Sequence, residues 1–285
     1  MKNSVRKLVS GFVLGILVLS VSVLSLSTTS SAQIGIGISV RIGPPALPVY
    51  AQPVAPGPGY LWTPGYWGWN EDGGYYWVPG TWVVAPVGML WTPGYWGFAG
   101  GLYGWHPGYW GPHVGFYGGI NYGFGYTGVG FAGGEWRGGA FFYNRAVMNV
   151  GVGFTNVYSR TVIVNNVHTS FNGPGGIVAR PTPQEEAYGR ERHVAALSTQ
   201  VEHERAASQN RALFASENHG RPAMAATSRP GDFSGHNEAA RNDVARNEAH
   251  DRDVARSENR DAGKPSKQER QAQKRQAKEE KHNDR

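Results

Sequence analysis

The side chains with chemistry to offer in this 285-residue chain are aromatic: ten Trp and 14 Tyr, against nine His and no Cys. Eight of the Trp fall in one phrase, WxPGxW, written at 62–67, 77–82, 91–96 and 105–110. Indole and phenol rings pack as dry core or stack on flat partners such as sugar rings, and each carries one polar handle. They break no bonds on their own. The residues that would do so are not arranged for it. There is no HExxH and no GxSxG elbow, the His are scattered, and His106 and His113 have no third ligand at metal-binding spacing. Glu71 and Asp72 are adjacent acids in a turn, where acids are good turn formers. Two GxGxxG matches, at 123–128 and 128–133, lie in a Gly-rich, β-like stretch without the helix that a dinucleotide fingerprint requires. With 41 Gly in the chain, chance matches are expected. The sequence therefore predicts no catalytic residue, no cofactor and no metal.

The elements that must position the rings follow from the spacing. The first Trp of successive phrases are 15, 14 and 14 residues apart, a repeat period that outranks local propensity. Pro presets φ for a turn and Gly accepts the positive φ of a type II turn, so each Pro-Gly reads as a chain reversal. A second reversal falls between phrases. Pairing Phe98 with Tyr103 around Gly100 and Gly101 puts Trp96 opposite Trp105, and a three-residue loop of Glu71, Asp72 and Gly73 puts Trp67 opposite Trp77. Pairing Val84 with Met89 puts Trp82 opposite Trp91. Closing each xPGx loop with its own Trp pair sets Trp62 against Trp67 and Trp105 against Trp110. The expectation is an all-β antiparallel meander of short hairpins with one ladder of eight Trp on one face. Tyr60, Trp69, Tyr75, Val84, Met89, Phe98 and Tyr103 share that face. The opposite face carries Leu61, Thr63, Tyr66, Tyr76, Val78, Tyr95, His106 and Tyr109. The Trp face reads as core, and the face bearing Tyr66, Tyr95 and Tyr109 reads as contact surface.

Residues 1–32 read as an export signal. Lys2, Arg6 and Lys7 precede an apolar run from Leu8 to Leu26, and Ser30 and Ala32 supply small residues for cleavage. Its three cations account for half of the +6 net charge, so the high isoelectric point does not indicate nucleic-acid binding. The absence of Cys excludes a disulfide framework. Residues 33–59 combine a short alternating strand with a Pro-rich, extended lead-in. The four phrases occupy 60–112, where strands of about five residues are too short to span a membrane. Residues 113–180 alternate Gly with bulky aromatics and read as further strands able to cover the Trp face, with strong β propensity from Tyr158 to Val167. Residues 181–285 are a charged tail, partly helical and largely disordered. Capping boxes begin at Thr182 with Glu185 and at Thr199 with Glu202, and a short helix is expected over 210–217. Beyond Asp232 there are almost no aliphatics to bury, and the basic run from Lys264 to Lys281 reads as a solvated charged face.

The four WxPGxW copies, with Tyr60 and Tyr103 two residues ahead of their Trp and Tyr75 in the same place in the second, resemble the bacterial YXWGXW, or WXXGXW, repeat family. The departures are Thr81 in place of Tyr and Pro112 after the fourth copy. Segments after Val157, including ARPTPQEEAYGRERHV, also resemble the region C-terminal to these repeats in exported members. The resemblance implies export to the periplasm, cell surface or medium, and lends no catalytic residues. A structural or interaction role is expected, with envelope polysaccharide or other envelope proteins as partners. The alternative is a glycan- or peptidoglycan-binding module that stacks sugars on Tyr and Trp.

Overall fold

The computed structural model describes residues 38–163 and 168–233. The segment read as an export signal and the tail beyond Phe233 lie outside the described residues. The strands in chain order are β1 (Ser39–Val40), β2 (Tyr60–Thr63), β3 (Tyr66–Asn70), β4 (Gly74–Val78), β5 (Gly80–Val84), β6 (Leu90–Thr92), β7 (Tyr95–Ala99), β8 (Leu102–His106) and β9 (Tyr109–Gly111). After the repeats come β10 (Asn121–Gly123), β11 (Tyr126–Thr127), β12 (Gly134–Arg137), β13 (Ala140–Asn144), β14 (Val157–Tyr158) and β15 (Phe171–Asn172). Helices α1 (Pro183–Gly189), α2 (Ser198–Gln209) and α3 (Ala215–Asn218) come next, then β16 (Ala226–Thr227). The fold is built of small, mostly antiparallel sheets, in keeping with the β class expected from the repeat.

The order of pairing departs from the expected meander. The β3–β4 hairpin sets Trp67 opposite Trp77, and β7–β8 sets Trp96 opposite Trp105 and Phe98 opposite Tyr103, as the spacing predicts. Trp62, however, pairs with Trp82 through β2–β5, and Trp91 with Trp110 through β6–β9. Neither Trp62–Trp67 nor Trp82–Trp91 forms. The register runs unbroken from Tyr60↔Val84 to Asn70↔Gly74, and again from Leu90↔Gly111 to Ala99↔Leu102. There are thus two long hairpins, each with both arms bent at Pro-Gly.

The physical reason lies at the corners. None of Gly65, Gly80, Gly94 and Gly108 has the positive φ of a type II turn. The unbroken register puts Pro64 opposite Gly80 and Gly65 opposite Pro79, so two prolines that cannot donate to a ladder interrupt both arms at one level and the ribbon bends. The true reversals are the three-residue loop after Asn70 and the Gly100-Gly101 turn, where both glycines have positive φ.

What the corner glycines supply is room. A Cβ on Gly65 would lie 2.3 Å from the Trp77 ring, and one on Gly80 would lie 2.5 Å from the Trp62 ring. In the second hairpin the seats are Gly94 under Trp105 and Gly108 under Trp91, both at 2.5 Å. The first Trp of each phrase therefore rests on the Gly of the phrase paired with it.

Several indole N–H groups tie other segments to the ribbons. Trp67 donates to the Ala46 carbonyl at 3.1 Å, Trp82 to Pro53 at 2.8 Å and Trp77 to Ala225 at 3.0 Å. Trp96 donates to the Trp67 carbonyl at 2.8 Å and joins the two hairpins. The Pro-rich segment accordingly lies against the core, with Leu47 and Ala55 buried. The Gly-rich segment packs over the repeats as well. The Tyr126 hydroxyl donates to the Trp91 carbonyl at 3.0 Å, Tyr122 to Gly94 at 2.6 Å and Tyr143 to Tyr60 at 2.9 Å. Burial raises the Tyr143 phenol to about 12. The strand expected over 158–167 is confined to β14; residues 159–163 have no regular structure, and 164–167 lie outside the described residues.

The tail folds back on the first hairpin. Thr182 caps α1, with its hydroxyl accepting from Glu185 N and the Glu185 carboxylate accepting from Thr182 N, as the sequence predicts. The second box is corrected: α2 starts after Leu197, and Gln200 accepts from Leu197 N, because Leu197 is the last extended residue. Leu213 and Phe214 cover Tyr76 and Val78, and β16 pairs with β5. Among the described residues no helix is long and apolar enough to cross a membrane.

Candidate functional site at the Pro-Gly corners

Bending the two hairpins brings all four corners together. Pro64, Pro79, Pro93 and Pro107 line one cavity of about 90 Å³. Its aromatic walls are Tyr66, Trp91, Trp105 and Tyr122, and Tyr66 lies flat on Trp105 across the two hairpins, with centroids 4.9 Å apart and planes 19° apart. Pro64, Pro79 and Pro93 are buried while Pro107 is exposed, so the cavity opens beside the fourth corner.

One side of the cavity is closed by α2 through Gln200, His203 and Glu204. His203 is held by both ring nitrogens. Nε2 lies 2.8 Å from the Pro79 carbonyl, which can only accept, and Nδ1 accepts from Gly231 N at 2.9 Å. These partners fix the neutral tautomer, and burial lowers the imidazole below its ordinary value. Gln200 accepts from the Trp110 indole at 2.7 Å. Glu204 takes hydrogen bonds from the Tyr66 and Tyr76 hydroxyls, with Tyr76 at 3.5 Å. Burial raises its carboxyl above the ordinary range and outweighs those two donors. Among the described residues no Lys or Arg pairs with it.

The aromatic residues singled out by spacing separate into three groups. Trp62, Trp67, Trp77, Trp82, Trp91, Trp96 and Trp110 are buried, with Trp91 the most exposed of them at 7%. Trp105 and Tyr66 are half-buried cavity walls. Tyr95 and Tyr109 are half-buried outside the cavity. Tyr95 is sandwiched between His106, with ring centroids 4.4 Å apart, and Gly118, while Tyr109 lies against His193 at 4.6 Å. Tyr95 is thus enclosed on both sides, and Tyr109 has His193 tilted against it. On the first hairpin the face expected to be contact surface is covered, since Leu61, Thr63, Tyr76 and Val78 are all buried.

The motif spacing alone gave no sign of Glu204, His203 and Gln200, because all three lie on a tail helix about 100 residues beyond the last phrase. One available signal was the mirror symmetry of the phrases. Trp62 and Trp82, like Trp67 and Trp77, are equidistant from Asp72, as expected of one hairpin folded there.

A chain with this architecture is an aromatic repeat protein whose repeat makes both the core and the cavity. Residues 57–83 and 87–110 match the WXXGXW repeat family model as two copies. Each matched copy spans two WxPGxW phrases, so the family unit coincides with one bent hairpin. Comparison with curated proteins and with solved structures finds no match.

Proposed function

We propose that the protein is an exported, non-enzymatic structural or interaction protein of the cell envelope or extracellular space, and that the repeats serve as its scaffold. The observation that carries this reading is the burial of seven of the eight phrase tryptophans, which commits them to holding segments together rather than to display. The N–H groups of Trp67 and Trp82 anchor the Pro-rich strap and that of Trp77 the tail, and the framework stands without disulfides. The export signal supplies the address.

Fractionation of expressing cells, with immunodetection of the intact chain and its processed form, tests the reading. The expected result is a shortened chain in periplasmic, envelope or culture fractions that co-sediments with envelope material. Full-length chain retained in the cytoplasm would overturn it.

A further inference from the structure

We propose that the cavity at the four Pro-Gly corners binds a compact organic cation, an ammonium group on a small aliphatic body, with Glu204 as its counter-ion. The first support is the balance of polar groups. Thr63 donates to the Thr81 carbonyl, the Thr81 hydroxyl accepts from Thr227, and both nitrogens of His203 and the Gln200 side-chain oxygen are engaged. Glu204 also faces the space; it accepts from the Tyr76 and Tyr66 hydroxyls but has no Lys or Arg partner among the described residues, and a partly buried carboxylate without a cationic partner is costly unless a cation arrives. The second support is the wall. Prolines offer apolar contact, and Trp91, Trp105 and Tyr66 bring electron-rich rings to the same space, an environment that favours a cation over an anion. The third is size: about 90 Å³ suits a head group smaller than benzene, which occupies a cavity of roughly 150 Å³.

The site is independent of the scaffold reading, because nothing in it depends on where the protein resides. The test uses the intact chain, titrated with tetramethylammonium chloride and with n-propylammonium chloride while tryptophan fluorescence and calorimetric heat are followed. Sodium chloride at equal ionic strength and tert-butanol serve as charge-only and shape-only controls. The expected result is a saturable response to at least one ammonium probe and to neither control. Affinity should fall about tenfold or more in Glu204→Gln, the scale of one lost charge-assisted contact. Binding should also weaken on acidification, as the carboxyl takes up its proton. Glu204→Gln should melt at or above the wild-type temperature, because it removes a desolvated charge, whereas a purely structural Glu204 would destabilise when changed. If that variant fails to fold, Glu204→Asp keeps the charge on a shorter arm and should still prefer ammonium to tert-butanol. Absence of saturation with both ammonium probes, equal response to tert-butanol, or unchanged affinity in Glu204→Gln would overturn the proposal.

Discussion

The hairpin over 60–84 and the hairpin over 90–111 carry the same phrase in the same register, yet only the first is covered on both faces. Trp77 is fully buried, while Trp105, at the equivalent place in the second hairpin, is half exposed. The difference comes from outside the repeats. Leu213, Phe214 and β16 close the first hairpin, whereas the second is flanked by two-residue strands, β1 on β8 and β15 on β7, leaving Leu102, His106 and Pro107 exposed. The phrase specifies the bend and the ring seats; the surrounding chain decides which hairpin becomes core and which keeps an outer face.

The sharpest way to break this comparison is to truncate the equivalent rings. Trp77→Ala should cost about 3–5 kcal/mol, the range for removing a large buried aromatic. Trp105→Ala should cost less than half of that, since its ring, though it touches Tyr66, Trp96 and Gly94, is part exposed. Chemical denaturation followed by far-UV circular dichroism measures both. Equal losses would mean that the two hairpins share the stability evenly despite their unequal cover.

The β class, the Trp67–Trp77 and Trp96–Trp105 pairs and the α1 capping box were legible because each depends on residues close in sequence. The Trp62–Trp82 and Trp91–Trp110 pairs were not, because L-Pro-Gly fits a type II turn and a corner equally well when read locally. Only the opposed strand, supplying its own Pro-Gly at the same level, makes it a corner. The cavity was hidden for a related reason: its walls come from all four phrases and its charge from Glu204, which the tail's composition presents as an ordinary solvated acid.

The glycine seats sharpen the comparison at smaller cost. Gly65→Ala should destabilise by about 1–3 kcal/mol, typical of a group forced into a packed site, because the obstructing Trp77 ring is buried and cannot retreat. Gly94→Ala should fall at the lower end of that range, because its closest obstruction is the half-exposed Trp105 ring, which can tilt away. Close backbone atoms are common to both sites, with Gly80 N 2.8 Å from a Cβ at Gly65, and His106 O at 2.8 Å and Gly108 N at 2.9 Å from one at Gly94. Thermal melting of the two variants side by side decides it. The reverse order would show that the backbone contacts at the corner, rather than the rings, limit the space.

The smallest expected effect is on pH dependence, and it separates the hairpins by their histidines. His203 locks α2 to the first hairpin and to Gly231, and burial lowers its imidazole below 6.5. The unfolded chain therefore binds this proton more readily, so the contribution is complete above pH 6.5 and is lost as pH falls through the lowered folded-state value. Glu204 has the opposite sign: its carboxyl is raised above 4.5, so its contribution is complete below pH 4.5 and is lost as pH rises through the raised value. His106, stacked on Tyr95 in the second hairpin, is also lowered by burial and adds to the acid-side loss, but its side chain is exposed and its stacking on Tyr95 does not require the neutral form. Melting temperature followed from pH 8 to 4 should fall on the acid side more steeply in Glu204→Gln than in wild type, because the compensating carboxyl is gone. In His203→Gln, whose amide can still donate to the Pro79 carbonyl, the acid-side fall should be reduced to the part owed to His106 and other groups. An acid-side fall unchanged in His203→Gln would place the sensitive proton in the second hairpin and reverse the assignment of the covered hairpin as the pH-dependent one.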